Sequence, residues 1–389
     1  LEWGTYWDVA HDLHNANCVS SNTIVLYEKN SGSSGGDEQF SSLLDVTAAV
    51  GGTSAKTGFN EGMKVVHTSA GTYAVYMVRD NVFVNTNGYT AYNEFQLYEI
   101  GEDSVTELGL FYTRAGDVDI LAGADGAIYV VGGSSSKVIK EATVHCNDKN
   151  AENAVLNVWK YTKENGVLNG RTAQKPFESA KGYSYLNTVS SQDGSAIYSF
   201  YIADNSLVWF QYDVAAQKWI EGGQSVELSG AVDKSFVFSD ENGVSFVYSS
   251  GSSVYEVAVG ENVSEDKLLD NIGELKDAYV DTDGQLCLLY TSNEKVYLSV
   301  DGSAVEVEEM SAEDYGRLIQ NTDSALCILA MEKGAPATIR VLSGEGYPVV
   351  ETIELDSKAV ASIAPSIAAP RNGSDLDGTV RMIFPAPYR

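Results

Sequence analysis

A short pattern recurs along this chain: a turn built from Gly, Asn, Asp or Ser, followed by four to six strand-forming residues that often end in Tyr. The instances are Ser21-Asn22 before TIVLY, Ala70-Gly71 before TYAVY, Asp125-Gly126 before AIYVV, Asp193-Gly194 before SAIYSFY, Asn242-Gly243 before VSFVY, Asp283-Gly284 before QLCLLY, Asp323-Ser324 before ALCILA and Asp377-Gly378 before TVRMIF. Asn-Gly and Asp-Gly suit a two-residue hairpin, because a type I′ turn needs positive φ at both central positions and Gly carries no Cβ to clash there. The runs that follow are almost continuously apolar, as in strands buried on both faces.

The corners return roughly every fifty residues, the period of a four-stranded propeller blade. The expected fold is therefore all-β: a seven-bladed β-propeller, with eight blades as the alternative, occupying residues 1–389 as one domain. Further strand pairs fall between corners, such as Lys295-VYLSV-Asp301 with Ala304-VEVEEM and Thr338-IRVLS with Val349-VETIEL. They read as the outer, more polar strands of each blade. Pairing of Thr379-VRMIFP with a strand from Trp3-GTYWDV would close the ring and protect its edges. Each innermost strand is expected to follow its corner. The acidic start Glu313-Asp314 in Ser311-AEDYGRLI reads as a turn or two of helix, and 359–375 as a Pro-punctuated connector.

The net charge is −29, from 25 Lys and Arg against 54 Asp and Glu, a field that repels phosphate backbones and anionic headgroups. Nucleic acid is excluded as a partner, and no apolar run is long enough to span a bilayer. The acidity itself fits an exported, soluble, monomeric protein. The segment Leu1-Glu2-Trp3-Gly4 has neither a start Met nor a basic signal, so any leader or anchor is expected upstream.

The four cysteines, Cys18, Cys146, Cys287 and Cys327, show no metal-ligand spacing. Cys287 and Cys327 each follow an Asp at the same distance, Asp283 and Asp323, and so occupy matching apolar positions in successive repeats; Cys18 and Cys146 could pair. No P-loop, GxSxG, HExxH or dinucleotide fingerprint is present, and the Asp-rich turns at 281–284 and 375–378 lack the remaining ligands of a calcium loop. No cofactor or metal is expected.

The candidate site residues are few. Trp7, His11 and His14 lie together in Trp7-Asp8-Val9-Ala10-His11-Asp12-Leu13-His14-Asn15, which joins an aromatic ring, carboxylates and two imidazoles just before the first expected innermost strand. His11 and His14 are the candidates for proton transfer; the plainer reading is local hydrogen bonding at chain closure. His67 stands two residues before a corner, as a ligand contact or a satisfied polar residue at a blade end. Tyr183, Tyr185, Tyr201, Trp209, Tyr212 and Trp219 fall in one expected blade. Tyr185 and Trp209 are the candidates for stacking a sugar ring, against the alternative that such rings fill the wedge between blades.

His14-Asn15 before the first hairpin, the repeated Asp-Gly corners, and Tyr185-LNTVSSQDGSAIYSFY followed by Trp209-FQYD and Lys218-Trp219 resemble the bacterial neuraminidase-repeat-like propellers, a group that includes sialidase-like and ulvan-lyase-like secreted proteins. The resemblance implies a propeller that meets glycans. Sialidase chemistry is not implied: Ser191-Gln192-Asp193-Gly194 lacks the residue between Asp and Gly and the closing Trp of a sialidase Asp box, and Arg79, Arg114, Arg171, Arg317 and Arg340 do not fall at equivalent positions. For a lyase, His14 would match the family's histidine near the first blade, whereas Tyr198-Ser199-Phe200-Tyr201 lacks the family's Tyr-Arg after the corner. The expected function is a non-catalytic glycan- or surface-protein-binding module of a bacterial exterior, with a polysaccharide lyase or glycosidase as the alternative.

Overall fold

The fold is taken from a computed structural model that describes residues 22–28, 43–45, 65–85, 89–101, 105–113, 118–133, 153–164, 166, 173–178, 183–203, 205–260, 262–281, 283–320, 325–332, 335–354, 366–368 and 379–385. Among them there is no helix, so none that could cross a membrane, and every strand pairing is antiparallel. The strands form seven sheets. Their innermost strands are Val65–Thr68, Asp119–Ala122, Tyr183–Ser190, Lys234–Asp240, Leu275–Val280, Tyr315–Gln320 and Ser366–Ala368, and each sheet is called below after the first residue of that strand. Successive innermost strands touch from the Val65 sheet through to the Tyr315 sheet, and Ser366–Ala368 touches Val65–Thr68. The chain is a β-propeller.

Apolar clusters fill the gaps between consecutive sheets. Val75, Phe95, Phe111, Ile120, Val130 and Trp159 join the Val65 and Asp119 sheets; Val237, Phe246 and Tyr248 pack against Phe200 and Trp209 across the next-but-one gap. That is why the strands after the corners lack alternation: Leu326–Met331 is buried at every residue. The outermost strands turn polar, with Gln224–Glu227 and Val349–Glu354 largely exposed.

The corners are found, with a different geometry. In Gly123–Gly126, Ser191–Gly194 and Asp281–Gly284 the last glycine's N–H closes a four-residue turn onto the first carbonyl, at 3.0, 2.8 and 3.1 Å, and the glycine is left-handed at φ 71°, 68° and 78°. Asp125 and Asp193 do not share that conformation. They stabilise the turn with their carboxylates instead: Asp193 Oδ1 accepts from the Ser191 hydroxyl (2.7 Å), the Ser195 N–H (3.0 Å) and the Ser195 hydroxyl (2.7 Å), which holds its pKa down at about 2. True type I′ pairs occur in the outer hairpins, at Asn293-Glu294 and Asp301-Gly302.

Each corner joins the innermost strand to the second, so the strand that follows it is the second and not the innermost. Ser21-Asn22 differs again, since Asn22–Glu28 is the third strand of the Ser366 sheet. It pairs with Thr379–Pro385 from Asn22↔Pro385 to Glu28↔Thr379, so closure by N- and C-terminal strands holds while the partner is Asn22–Glu28 and not a strand from residues 3–9, which lie outside the described residues. Two smaller corrections follow from local chemistry. Asp314 caps the Ser311 N–H (2.8 Å) to make a tight turn, after which Tyr315–Gln320 is a buried innermost strand and not a helix. The connector 359–375 contains the innermost strand Ser366–Ala368.

Cys287 and Cys327 do occupy matching places, each the second residue of a second strand, each with its thiol toward the carbonyl two residues back, Gln285 and Ala325. Both are buried. Burial, with Asp281, Asp301 and Asp277 adding to it, pushes the Cys287 thiol up to about 12. In the native protein at pH 8, peptide-mapped iodoacetamide labelling is expected to spare Cys287 and to modify it only after denaturation; labelling at the rate of a free thiol in the native state would refute this.

A glycine pair tests the corner. A Cβ on Gly126 meets open space, whereas one on Gly194 would come within 2.7 Å of the Ala124 backbone nitrogen, whose N–H donates to the Gly194 carbonyl at 2.9 Å. Urea unfolding is expected to show a loss of about 1 kcal/mol for Gly126→Ala, the left-handed penalty alone. Overlap should bring Gly194→Ala to about 2–4 kcal/mol.

Candidate functional site

A propeller brings its innermost strands together around one axis, so polar side chains on those strands are the first place to seek a site. Asp119, Asn187 and Asp277 stand at one offset before the corner glycines Gly126, Gly194 and Gly284, and Arg317 stands at that offset before Ser324. All four are buried: Asp119 and Asp277 are 0% exposed, Asn187 3% and Arg317 7%. The strand register slips just before Asn187 and Asp277, the bulge that re-aims a side chain out of the ladder.

The carboxylates reach the next blade. Asp119 Oδ2 accepts the Thr188 N–H of the Tyr183 sheet at 2.8 Å, and Asp277 Oδ2 accepts the Leu318 N–H of the Tyr315 sheet at 2.7 Å. In both cases the donor is the residue after the partner at the same offset, Asn187 or Arg317. Asp277 Oδ1 takes the Ala278 N–H (2.9 Å), and Arg317 Nε lies 3.3 Å from Asp277 Oδ2 as an ion pair. Beside it, buried Lys276 donates to the carbonyls of Ala312 (2.8 Å) and Asp314 (2.6 Å), with Glu274 Oε2 3.4 Å away. Burial lowers the Lys276 pKa, opposed by Glu274. These charges clamp neighbouring innermost strands to one another.

A second polar group lies on the corner side of the gap between the Asp119 and Tyr183 sheets. Asp125 accepts from the Tyr129 hydroxyl (2.8 Å), Lys160 Nζ (2.7 Å) and the Ala127 N–H (3.2 Å). Burial raises its pKa, and these bonds together outweigh burial, so the net shift is downward. Tyr129 meets Tyr212 edge-on at 5.9 Å, and Tyr212 meets Trp219 at 5.4 Å and 72°. The Tyr212 hydroxyl and Trp219 Nε1 are buried and have no hydrogen-bond partner among the described residues. Burial, then Asp125 and Asp213, pushes the Tyr212 hydroxyl up to about 12.

Among the described residues, His67 does not come together with Tyr185 or Trp209. Trp7, His11 and His14 lie outside the described residues. His67 is buried on the innermost strand of the Val65 sheet, its Nδ1 2.9 Å from Thr72 Oγ1 across the corner of that sheet. Tyr185 is on Tyr183–Ser190 opposite Tyr201, just before the register slip. Trp209, two sheets from His67, is 2% exposed and packs on Phe200 with centroids 6.2 Å apart, so its ring fills the wedge between blades and offers no face to a sugar. The expectation that these aromatics share one blade holds, since residues 183–227 make the Tyr183 sheet. Sequence reading missed the buried axial set; the shared offset of Asp119, Asn187 and Asp277 before three corner glycines was the signal. Among the described residues no group of three or more His, Cys, Asp or Glu is disposed to hold a metal ion.

Comparison with solved structures supports the fold. The chain is similar to a putative 6-phosphogluconolactonase of Bacteroides fragilis (TM-score 0.52, 12% identity, 88% of this chain and 97% of that one) and to the periplasmic gluconolactonase of Pseudomonas aeruginosa (0.52, 12%, 87% and 97%). It is similar as well to a functionally unknown protein of Desulfotomaculum acetoxidans (0.51, 12%, 89% and 98%). At this identity the likeness is one of fold alone. No family model matches the sequence, and no curated protein matches it.

The inter-blade clamp is testable by unfolding. Asp277→Ala leaves the Leu318 N–H and the Arg317 guanidinium without their acceptor in a dry site, and is expected to cost about 3–5 kcal/mol in urea titrations. Asp277→Asn keeps an acceptor oxygen and should cost about 1–3 kcal/mol. Equal stability of both variants and the parent would refute the clamp.

Proposed function

We propose that this chain is a non-catalytic recognition module of the bacterial exterior that binds a glycan through one face of the propeller. The observation that carries the reading is the engagement of the axial charges. Asp119, Asp277, Arg317 and Lys276 occupy the innermost strands, where a propeller would assemble a general acid and base. Each instead holds a neighbouring strand or loop. General acid–base catalysis needs such a group within hydrogen-bond reach of the substrate's proton, which a carboxylate bound to two backbone N–H groups is not placed to offer. The resemblance of the repeated Asp-Gly corners and of Tyr185-LNTVSSQDGSAIYSFY to the neuraminidase-repeat propellers favours a saccharide over a protein ligand. Likeness in fold to gluconolactonases does not move the reading, since one fold hosts many activities.

The enzymatic alternative rests on His11 and His14. A glycan array run beside a polysaccharide-degradation screen, with His14→Ala in parallel, decides between them. Retention on the array without product release, unchanged by His14→Ala, is the expected result. Product release that disappears in His14→Ala would replace the binding reading with a lyase or glycosidase, and capture of a surface protein without any glycan would make the ligand a protein.

A further inference from the structure

We propose that the outer edge of the Val65 sheet is a docking site for an extended, basic segment of a partner protein, which pairs with Gly109–Thr113 as a further strand. The edge lies on the rim of the ring and is independent of any glycan site on its face.

Val105–Thr113 is the outermost strand of that sheet. It pairs with Tyr89–Ile100 on one side, and among the described residues no strand pairs with the other. Backbone N–H and C=O groups facing outward in a row are a template for another chain, and natural edges are blunted by shortness, interruption, proline or charge. The outer edges of the other sheets each carry such a device. Leu43–Asp45 is only 3 residues long, Ala173–Glu178 contains Pro176, and the Tyr183 sheet ends in two pieces, Lys218–Trp219 and Gln224–Glu227. Ser264–Leu269 holds Glu265, Asp266 and Lys267; Ser303–Ser311 holds Glu306, Glu308 and Glu309; Val349–Glu354 holds Glu351 and Glu354.

Val105–Thr113 runs for 9 residues with Glu107 as its single charge and no proline. Its irregularity is a bulge at Leu108, where the register steps from Tyr98↔Glu107 to Leu97↔Gly109. Beyond the bulge, Gly109–Thr113 runs against Asn93–Leu97 without a slip and carries no charged residue. Leu110, within this stretch, is 51% exposed, while its neighbour Phe111 turns into the core at 4%.

Backbone pairing accepts any extended chain, and the side chains select among them, as in other cases of strand addition. Leu110 favours an apolar residue opposite it, because cross-strand neighbours are the contacts that stabilise a sheet. Charge decides the rest. Glu107 is exposed at the near end of the stretch and the chain carries −29, so a second copy or an acidic segment is repelled on approach, whereas a segment bearing Lys or Arg is drawn in.

The probes are the capped peptide KTVTVTK, an alternating strand former with lysine at each end, and its acidic counterpart ETVTVTE. At millimolar concentration KTVTVTK is expected to slow amide hydrogen exchange in the fragments covering 105–113, and ETVTVTE to leave it unchanged. Leu110→Ser should weaken KTVTVTK binding about 5-fold by removing the cross-strand contact. Glu107→Lys should weaken KTVTVTK and strengthen ETVTVTE, and because both residues are exposed neither change is expected to lower Tm. Absence of protection by KTVTVTK, protection of a different strand, or binding that neither variant alters would overturn the site. Protection that arises without peptide and grows with protein concentration would make the occupant a second copy and overturn its assignment to a partner protein.

Discussion

The Asp119, Tyr183, Lys234 and Leu275 sheets are apolar on both faces, and such a sheet has no stable existence alone in water. Burying one face against a neighbour still leaves the other exposed, so the requirement is passed along from sheet to sheet. A ring satisfies it. Val237, Phe246 and Tyr248 of the Lys234 sheet meet Phe200 and Trp209 on one side, while Phe236, Phe238 and Val247 meet Leu275, Ala278 and Leu288 on the other. One sheet is built from both chain ends, with Thr379–Pro385 against Asn22–Glu28, and its strand Ser366–Ala368 lies against Val65–Thr68. The cohesion of the molecule lies between sheets as much as within them, and the buried carboxylates Asp119 and Asp277 act at that same junction.

Their position explains a polar requirement within an apolar plan. Innermost strands converge on an axis where the backbone of one blade faces that of the next without the register of a sheet. Buried carboxylates supply acceptors to the neighbour's N–H groups, Asp119 to Thr188 and Asp277, aimed by a bulge, to Leu318. A buried charge is tolerated only when its lone pairs are filled, and the paired N–H groups together with Arg317 fill those of Asp277. Charges spent this way stiffen the scaffold.

The fold was legible because its two controlling signals are local: a glycine at a corner and an unbroken apolar strand after it. Position within the blade was not, because an innermost and a second strand are both buried on two faces and read alike; only the corner's place between them, as in Ser190 to Ala196, separates the two. Asn22–Glu28 shows the limit, since TIVLY has the right composition after a plausible turn, and its place as a third strand is fixed by Thr379–Pro385 at the far end of the chain. Turn type was misjudged for a related reason. Asp-Gly fits either a two-residue hairpin or the end of a four-residue turn, and the choice depends on whether the Asp side chain can cap the loop, as Asp193 does through Ser191 and Ser195. For the site, residue type alone was a poor guide. Trp209 and Trp219 share a sheet and a chemistry, and only packing decides that Trp209 fills a wedge while Trp219 presents an unmatched N–H.

The acidity of the chain follows from the same architecture. A propeller leaves the outermost strand of every sheet with an unpaired row of N–H and C=O groups, a template for pairing with another chain. Those strands carry exposed carboxylates: Glu227, Asp266, Glu306 and Glu308, Glu351 and Glu354. Two copies approaching edge to edge bring like charges together before any hydrogen bond can form. The ion pairs at these edges, such as Lys295 with Glu306 at 2.7 Å, bind third strand to fourth and leave the acidic excess facing outward. A net charge of −29 thus serves the edges of the ring.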